Sequence, residues 1–436
     1  MHDKTCRNVP PDGPDDFLSK IRFEGDESFE KDLRTLCSEF ADIFSDKLAP
    51  QAANLKPFEI NLPKQKWEVP PKRTPVRPES SKKEHYLRTS IEEMLENDVI
   101  ERAKAAYYSH PIMVNKAADT FRTCINYRAL NECIEPVSFP LPNIKHLLER
   151  IGNKKPDIYG VMNLIASYHH APLYAPHRIY TAFICFIGVF LFTRLPFGPC
   201  RAPLTFRSRW WQRSFTVSYI SVARCISTTV LYMAGAKQSF SRRNVFERFR
   251  LKNLRLKVKK CRFGPKCIEY VGRVIDKDGL SMSKEKIETV LNFPLPKEVI
   301  SLRGFLGLAN YFRQFVPSHS EIVKPLLMMV DSKALKRAPI HWTPEGTLEF
   351  NETGVAVSRC PLMYFTNDDS PIKLYTDASD FDISGVLFHI VNDVWRPIAF
   401  RSKSQFSTKI NWSTIQEEAY AIFYCCQRLD YFNSRS

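Results

Sequence analysis

Apolar residues recur three and four positions apart in five segments, and this spacing predicts amphipathic helices. The sequence Ser90-Ile-Glu-Glu93 has the form of a capping box, which predicts a helix that begins at Ser90 and turns Ile91, Met94 and Leu95 towards a core. Three other predicted helices span residues 139–151, 283–294 and 299–312. A further predicted helix begins at Ser413, with Gln416 as the second residue of its capping box.

Runs of β-branched and aromatic residues predict strands between these helices. The predicted strands and hairpins are 111–115, 121–127, 158–195, 268–275, 372–376, 383–390 and 395–400. Neither alternation nor a helical stripe is present from about 207 to 241. This mixed order predicts an α+β fold, with an α/β order of three strands and a helix near the C-terminus.

The charge of the chain favours a nucleic-acid partner. Its 436 residues carry a net charge of +16, and the segment from Arg201 to Lys260 holds 15 Lys and Arg against one acid, Glu247. Concentrated basic charge is typical of a nucleic-acid surface, and a solvated face is the alternative. The 44% hydrophobic content excludes a disordered chain.

Other sequence features indicate a protein of the cytoplasm or nucleus that is not secreted. The 12 cysteines include no CxxC pair and no zinc spacing, which favours reduced thiols. Residues 1–5 contain no apolar signal segment. The apolar run Ala182–Phe192 is too short to span a bilayer, so two buried strands of a hairpin are predicted there and no membrane association is expected.

Six segments, taken together and in order, resemble one protein family. They are Phe121-Arg-Thr-Cys-Ile-Asn-Tyr-Arg-Ala-Leu-Asn131, Phe139-Pro-Leu-Pro142, Thr193-Arg-Leu-Pro-Phe-Gly198, Ala202-Pro-Leu-Thr-Phe206, Arg303-Gly-Phe-Leu-Gly-Leu-Ala-Asn-Tyr-Phe312 and Thr376-Asp-Ala-Ser379. With them the chain resembles the pol polyprotein of gypsy-type LTR retrotransposons from about Phe58 to its C-terminus, with a poor patch at 207–241. Each segment alone is weak evidence; the ordered set is specific.

The resemblance implies a right-hand polymerase fold of fingers, palm and thumb-like connection, followed by a truncated ribonuclease H-like domain. The implied activities are RNA-directed DNA polymerase and ribonuclease H. Mg²⁺ is the implied cofactor, and an RNA/DNA template-primer and dNTPs are the implied partners; the oligomeric state is left open. The implied regions are a polar and helical segment at 1–55, fingers and palm at 56–275, thumb and connection at 276–365, and the start of ribonuclease H at 366–436.

Three residues match nucleotide-binding positions of the family. Arg122 corresponds to an arginine on the incoming triphosphate, a role that suits an always-charged, forked guanidinium. Lys116 is a weaker second candidate. Tyr168 corresponds to the aromatic residue that excludes a ribose 2′-OH, and Phe197 to one beneath the nucleotide. A solvated arginine and ordinary core packing of the two aromatic rings are the alternatives.

The acids of the polymerase site are missing from this copy. No Asp or Glu occurs from Ile158 to Phe246, and Asn163 stands where the resemblance implies the first catalytic aspartate. The implied Asp-Asp pair falls on Ser227-Thr228-Thr229. A one-base shift turns Ile-Asp-Asp codons into Ser-Thr-Thr codons, so we interpret this stretch as a local frameshift that is restored before Val245.

The ribonuclease H part retains two of the four carboxylates that the resemblance implies around two metal ions. Asp377 matches the first metal ligand and Glu418 the second, with Glu417 as the near alternative. Asp380 and Asp382 are interpreted as loop acids, and the remaining two ligands are expected beyond Ser436. The sequence thus leaves two functions open: a reverse transcriptase with partial ribonuclease H, and a non-catalytic nucleic-acid-binding remnant or non-functional product.

Overall fold

The computed structural model forms two compact units, one of Met1–Leu141 with Asp157–Pro265 and one of Pro142–Pro156 with Lys266–Ser436. The structure describes residues 14–67, 79–116, 120–135, 148–149, 151–152, 156–205, 224–226, 229–234, 239–270, 272–330, 335, 337–366, 371–379, 382–404 and 412–433. Most of the predicted helix 139–151, and Asp380, lie outside these residues.

The first unit contains ten strands and seven helices within the described residues. The strands are β1 (Arg22–Phe23), β2 (Ile100–Arg102), β3 (Pro111–Lys116), β4 (Thr120–Ile125), β5 (Ile158–Asn163), β6 (Phe183–Cys185), β7 (Gly188–Phe192), β8 (Arg224–Ile226), β9 (Thr229–Ala234) and β10 (Arg262–Phe263). The helices are α1 (Pro14–Ser19), α2 (Glu27–Glu39), α3 (Lys64–Trp67), α4 (Ser81–Glu96), α5 (Arg128–Cys133), α6 (Ala202–Thr205) and α7 (Ser239–Leu251).

A five-stranded sheet in the order β1-β10-β5-β9-β8 forms the centre of this unit. The β1–β10 pair is parallel, and the other neighbouring pairs are antiparallel. Aromatic rings pack beside it: Phe246 lies edge-on to Phe40, Phe44 and Phe263 with centroid separations of 5.6–6.0 Å. Edge-to-face packing of buried rings stabilises such a core beyond the area that it buries.

The smaller sheets of the unit confirm the predicted hairpins. β6 and β7 form an antiparallel pair, as predicted for the apolar run Ala182–Phe192, and β2 joins it in the order β2-β7-β6. β3 and β4 form a separate two-stranded hairpin. None of the helices in the described ranges combines the length and apolarity that crossing a membrane requires.

The predicted start of α4 was wrong. The helix begins at Ser81, with Ser80 as its N-cap residue, so Ser90 lies inside it and the sequence Ser90-Ile-Glu-Glu93 does not cap a helix. Leu87 and Ile91 are the buried residues of α4. Residues 81–89 include Lys, Glu, Leu and Arg, which favour helix, so the polar turns before Ser90 extend the helix outwards.

An N-terminal strap, defined here as residues 21–60, runs along the central sheet. Besides the β1–β10 pairing, Leu256 N–H donates to Ile43 O at 2.7 Å and Ser45 N–H to Leu256 O at 3.0 Å. Further along, Ala53 N–H donates to His170 O at 2.7 Å. The strap is therefore part of the unit's backbone hydrogen-bond network, although the sequence indicated only a polar, helical leader.

The second unit contains seven strands and five α-helices with described bounds, and the described residues 148–149 and 151–152 are also helical. The strands are β11 (Ile268–Tyr270), β12 (Arg273–Ile275), β13 (Gly279–Met282), β14 (Met363–Tyr364), β15 (Ile372–Ala378), β16 (Asp382–Val391) and β17 (Val394–Ser404). The helices are α8 (Lys284–Leu291), α9 (Val299–Phe312), α10 (His319–Met328), α11 (Pro344–Ser358) and α12 (Thr414–Asn433).

Two antiparallel sheets organise this unit, in the orders β11-β12-β13-β14 and β15-β16-β17. The predicted hairpin at 268–275, the helices beginning near Ser283 and Val299, and the three C-terminal strands are confirmed. α12 packs on β15–β17 around Leu387, Cys425 and Leu429. Its predicted box is present, since Ser413 N–H donates to Gln416 Oε1 at 2.9 Å.

Candidate active site

The ends of two palm strands meet at Asn163. β5 ends at Asn163, whose register partner on β9 is Thr229, and Thr229 is in turn paired with Ile226 of β8. Ser227 and Thr228, which join these two strands in sequence, lie outside the described residues. The backbone thus forms a strand pair beside Asn163 within 207–241, where the hydrophobic pattern had indicated no regular element.

The side chain of Asn163 is a poor magnesium ligand. Its backbone carbonyl accepts a 2.8 Å hydrogen bond from Lys257 N–H. Its side-chain oxygen Oδ1 is buried and has no hydrogen-bond partner in the described part of the chain. An amide oxygen carries no net charge, whereas a carboxylate would supply the negative charge that Mg²⁺ prefers.

The donor groups around this point do not fit a two-magnesium centre. Among the described residues, no group of three His, Cys, Asp or Glu side chains lies close enough together to hold a metal ion. The absence of acids from 158 to 246 explains this for the palm. Carboxylates are the ligands that such a centre uses to bind two ions a few ångströms apart.

The two candidate aromatic residues of the nucleotide site lie together. Tyr168 and Phe197 are 4.8 Å apart between ring centroids, in an edge-to-face arrangement. A left-handed residue, Ala166 (φ 37°), precedes the short 3-10 turn that carries Tyr168. Tyr168 is 8% exposed and Phe197 46% exposed, so Phe197 is the ring that a ligand can reach.

Asn131 holds the loop that carries Phe197, a role that the sequence pattern did not indicate. Its Nδ2 donates to Gly198 O at 3.0 Å, and its Oδ1 accepts from Cys200 N–H at 2.8 Å. Gly198 has φ 114°, and a Cβ there would lie 3.0 Å from the Tyr127 ring. The segments Phe121–Asn131 and Thr193–Gly198 therefore meet in the folded unit.

Three basic residues lie beside the aromatic pair: His170 and Arg194 are buried, and His169 is partly exposed and packs edge-on against Phe197. Burial lowers the pKa of His169 to about 4 and that of His170 to about 3, so both are neutral at pH 7. Arg194 is 2% exposed and donates to the carbonyls of Ala49 (3.0 Å) and Pro50 (2.6 Å) of the N-terminal strap. Arg194 therefore fastens the strap to this part of the unit.

Arg122 and Lys116 lie on the β3–β4 hairpin. Arg122 is exposed and is the register partner of Val114, which is 48% exposed. Lys116, the last residue of β3, is paired with Thr120. An exposed guanidinium beside exposed apolar residues is compatible with a nucleotide phosphate, and its role there stays a prediction.

The ribonuclease H candidates lie on two elements. Asp377 is exposed on β15, and Glu418 is partly buried on α12. A Cβ on Gly385 would meet Cys425 of α12, so the sheet face of Gly385 and its partner Thr376 is the one that α12 covers. Because side chains alternate along a strand, Asp377 projects from the opposite face.

Two further acids of this region differ from their predicted surroundings. Asp382 is the first residue of β16 and is partly buried, which corrects its interpretation as a loop acid. Glu417, the alternative to Glu418, is 3% exposed, and its Oε1 has no hydrogen-bond partner among the described residues. Its burial makes Glu417 a sheet-facing residue of α12, which leaves Glu418 the more accessible carboxylate.

Comparison with known proteins confirms the resemblance to retrotransposon Pol polyproteins. Residues 342–435 match the family model of the RNase H-like domain found in reverse transcriptase. The chain is 26% identical over 93% of its length to the Pol polyprotein of Drosophila melanogaster transposon 412, and 26% identical over 90% of its length to the Tf2-3 polyprotein of Schizosaccharomyces pombe. It spans 33% and 29% of these two relatives, about a third of their length.

Solved structures show the same fold. The foamy viral protease-reverse transcriptase in complex with double-stranded DNA superposes with a TM-score of 0.85 over 98% of this chain and 74% of that one, at 18% identity. The same viral protein in complex with an RNA/DNA hybrid gives a TM-score of 0.80 over 95% of this chain and 55% of that one, at 18% identity. The chain thus has the polymerase and ribonuclease H-like fold of a reverse transcriptase.

Proposed function

We propose that this chain is the reverse transcriptase and ribonuclease H-like region of a retrotransposon Pol polyprotein, in a copy that binds nucleic acid without joining nucleotides. The observation that carries the loss of chemistry is the position of Asn163 opposite Thr229. At the junction of the palm strands, neither described residue is an acid.

Nucleotide transfer demands more than a binding surface. Metal-bound carboxylates normally help to deprotonate the attacking hydroxyl and to neutralise the charge that develops on the phosphates. Asn and Thr are neutral residue types, so neither Asn163 nor Thr229 can supply a base or the negative charge that holds Mg²⁺ firmly. The remaining function is therefore recognition of the nucleic acid.

A duplex with an exposed phosphate backbone is the proposed ligand. The foamy viral relatives are complexes with double-stranded DNA and with an RNA/DNA hybrid. The net charge of +16 supports the same ligand class here, since phosphate contacts dominate such binding. The exposed Arg122 and Phe197 provide a guanidinium and an aromatic ring for a nucleotide.

We further propose that Asp377 and Glu418 occupy former metal-ligand positions and no longer cleave RNA in this chain. Their placement on β15 and α12, with Asp377 on the sheet face away from the helix, supports an incomplete site. A two-metal centre requires several carboxylates directed at one point. An RNA/DNA hybrid should therefore be bound and remain intact with Mg²⁺ present.

A primer-extension assay with Mg²⁺ and with Mn²⁺ tests the proposal. Wild type and Asn163→Ala should both give no templated incorporation, and both should bind the primed template with the same affinity. Incorporation by the wild type that Asn163→Ala abolishes, after repurification, would show a working polymerase and refute the proposal. Absence of binding in both proteins would refute the nucleic-acid part alone.

The frameshift interpretation is tested on the gene. Related copies of the gene should encode an Asp-Asp pair at the position of Ser227-Thr228-Thr229. In this gene, a reading frame displaced by one base should encode the same pair. If no single-base displacement opens such a pair, another history of substitution explains the acid-free stretch.

A further inference from the structure

Four arginines in and just after the basic segment are held by carboxylates of the N-terminal strap. Arg262 forms a forked pair with Glu24, with Nε–Oε1 at 2.5 Å and Nη2–Oε2 at 2.8 Å. Arg243 Nη2 lies 2.6 Å from Glu39 Oε2. Both pairs join residues more than 200 positions apart in sequence, so they form only in the folded unit.

The other two arginines share one carboxylate. Arg250 Nε donates to both oxygens of Asp42, at 2.9 and 3.0 Å, and its Nη2 donates to Glu39 O at 2.6 Å. Arg255 Nη1 lies 3.8 Å from Asp42 Oδ2. We call Arg243, Arg250, Arg255 and Arg262 the arginine face, and Glu24, Glu39 and Asp42 the strap acids.

The arginine face adjoins the end of β5 through the segment of Arg255. Arg255 O accepts a hydrogen bond from Ile165 N–H at 3.2 Å, and Lys257 N–H donates to Asn163 O at 2.8 Å. The segment that carries Arg255 is thereby fixed to the residues at the end of β5. A duplex backbone bound near Asn163 is thus close to the segment that carries Arg255.

Most of the contacts between strap acids and arginines are solvent-exposed and exchangeable; the exception is Arg255, whose side chain is only 17% exposed. The side chains of Glu24, Glu39 and Asp42 are 41%, 44% and 38% exposed. Ion pairs with this exposure contribute little to stability, because water competes for both partners. Phosphate oxygens accept the same forked hydrogen bonds from arginine as a carboxylate does.

We propose that the arginine face is a second phosphate-binding surface and that the strap acids occupy it as an internal competitor. This inference rests on the proposed nucleic-acid function. It deepens that function, because it states that the strap acids keep the arginine face from binding nucleic acid. Removal of the three negative charges releases guanidinium groups that then bind nucleic-acid phosphates.

A charge-matched pair of variants tests this proposal. The strap variant is Glu24→Gln/Glu39→Gln/Asp42→Asn, and the control is Glu27→Gln/Asp32→Asn/Asp46→Asn. The control acids are exposed residues of the same segment that take no part in the four pairs, and the two variants gain the same net charge. Affinity for a 20-base-pair DNA duplex of arbitrary sequence is measured by fluorescence anisotropy from low to moderate salt.

The strap variant should bind tighter than the control and depend more steeply on salt. Each arginine that reaches a phosphate adds about 0.9 to the magnitude of the slope of log K against log salt, so an increase of roughly 2 to 4 is expected. Adding Arg243→Gln and Arg250→Gln to the strap variant should remove about half of that increase. Circular dichroism checks that each variant is folded; if the triple variant is not, Glu39→Gln is compared with Glu27→Gln.

Two outcomes overturn the inference and are distinguishable. If wild type, control and strap variant all bind but share one salt slope, the arginine face is not a phosphate surface, while the proposed function stands. If none of the three binds duplex DNA, both proposals fail.

Discussion

Asp382 has a carboxyl group in surroundings that disfavour its charge. Its Oδ1 is buried without a hydrogen-bond partner among the described residues. Burial, the largest cause, and the nearby Glu321 together raise the pKa of Asp382 to about 7, against the opposing effects of a backbone hydrogen bond at Ile383 and the charge of Lys324. Ionisation therefore weakens the fold of the second unit.

The pH dependence of stability follows from this shift. The folded pKa is about 7 and the ordinary value is 3.8, so the folded state holds a proton between these pH values that the unfolded state has lost. The contribution of Asp382 is thus most favourable below about pH 4 and is lost as the pH rises towards 7. The Asp382→Asn variant should therefore lose less stability between pH 4 and pH 7 than the wild type.

We expect Asp382→Asn to stabilise the second unit at pH 8 by on the order of 1–3 kcal/mol, since one pKa unit corresponds to about 1.4 kcal/mol and the site is only partly buried. At pH 4 the variant and the wild type should unfold alike. Chemical unfolding at both pH values measures the difference. Asp377→Asn, at an exposed position of the same sheet, is the control; an equal gain in both variants would contradict the explanation.

At the scale of elements, the contact of α12 with the C-terminal sheet depends on one glycine. A Cβ at Gly385 would lie 2.5 Å from Cys425 Sγ and 3.3 Å from Tyr375 O. Gly385→Ala should therefore push α12 from the sheet and destabilise the second unit by about 1–3 kcal/mol, the usual cost of overpacking. Thermal unfolding measures the loss.

The double variant Gly385→Ala/Cys425→Ala separates a steric clash from a general strand effect. Removal of Sγ makes room for the new methyl group, so the double variant should lose less stability than the sum of the single variants. Gly304→Ala, where a Cβ meets nothing within 4 Å in helix α9, should be neutral or stabilising. Strict additivity at 385 and 425 would rule out the clash.

The elements that the sequence predicted well are those whose pattern arises from one buried face. The helix Val299–Phe312 and the strands β15–β17 match their predicted spans closely, because each has a continuous apolar side. α4 was misplaced because a capping-box sequence also occurs inside helices. β8 and β9 were missed because backbone pairing places them, β9 against β5 and β8 against β9, and their own sequence has no alternation.

The candidate site was predictable only in part. Asn163, Tyr168 and Phe197 were found because motif spacing carries them, and the structure brings Tyr168 and Phe197 together. The clamp of Asn131 on the Phe197 loop links residues 67 positions apart, and Arg194 reaches the strap across 145 positions. Such contacts leave no local pattern, because they depend on the packing of distant segments.

At the scale of the whole molecule, net charge overstates what nucleic acid can use. The sequence places 15 Lys and Arg between 201 and 260, yet three arginines of that segment, with Arg262, are paired with strap acids. Lys259 and Lys260 are exposed on the turn beside the palm site. The phosphate contacts of the folded chain should therefore be fewer than its formal charge suggests.

The lack of an acid at Asn163 and Thr229 predicts that the chain binds nucleic acid equally well when divalent metal ions are removed. A polymerase site with carboxylates gains a bound dNTP through Mg²⁺, whereas the neutral Asn163 and Thr229 carry no negative charge to hold the ion on the protein. Dissociation of a primed template should therefore be equally fast with Mg²⁺ and the complementary dNTP, with Mg²⁺ alone, and with EDTA at matched ionic strength. Stopped-flow release of a labelled primer measures these rates. A slowing by the complementary dNTP that requires Mg²⁺ would mean that acids from elsewhere in the chain converge on the palm. A slowing by any dNTP, complementary or not, would indicate only non-specific occupation near Arg122.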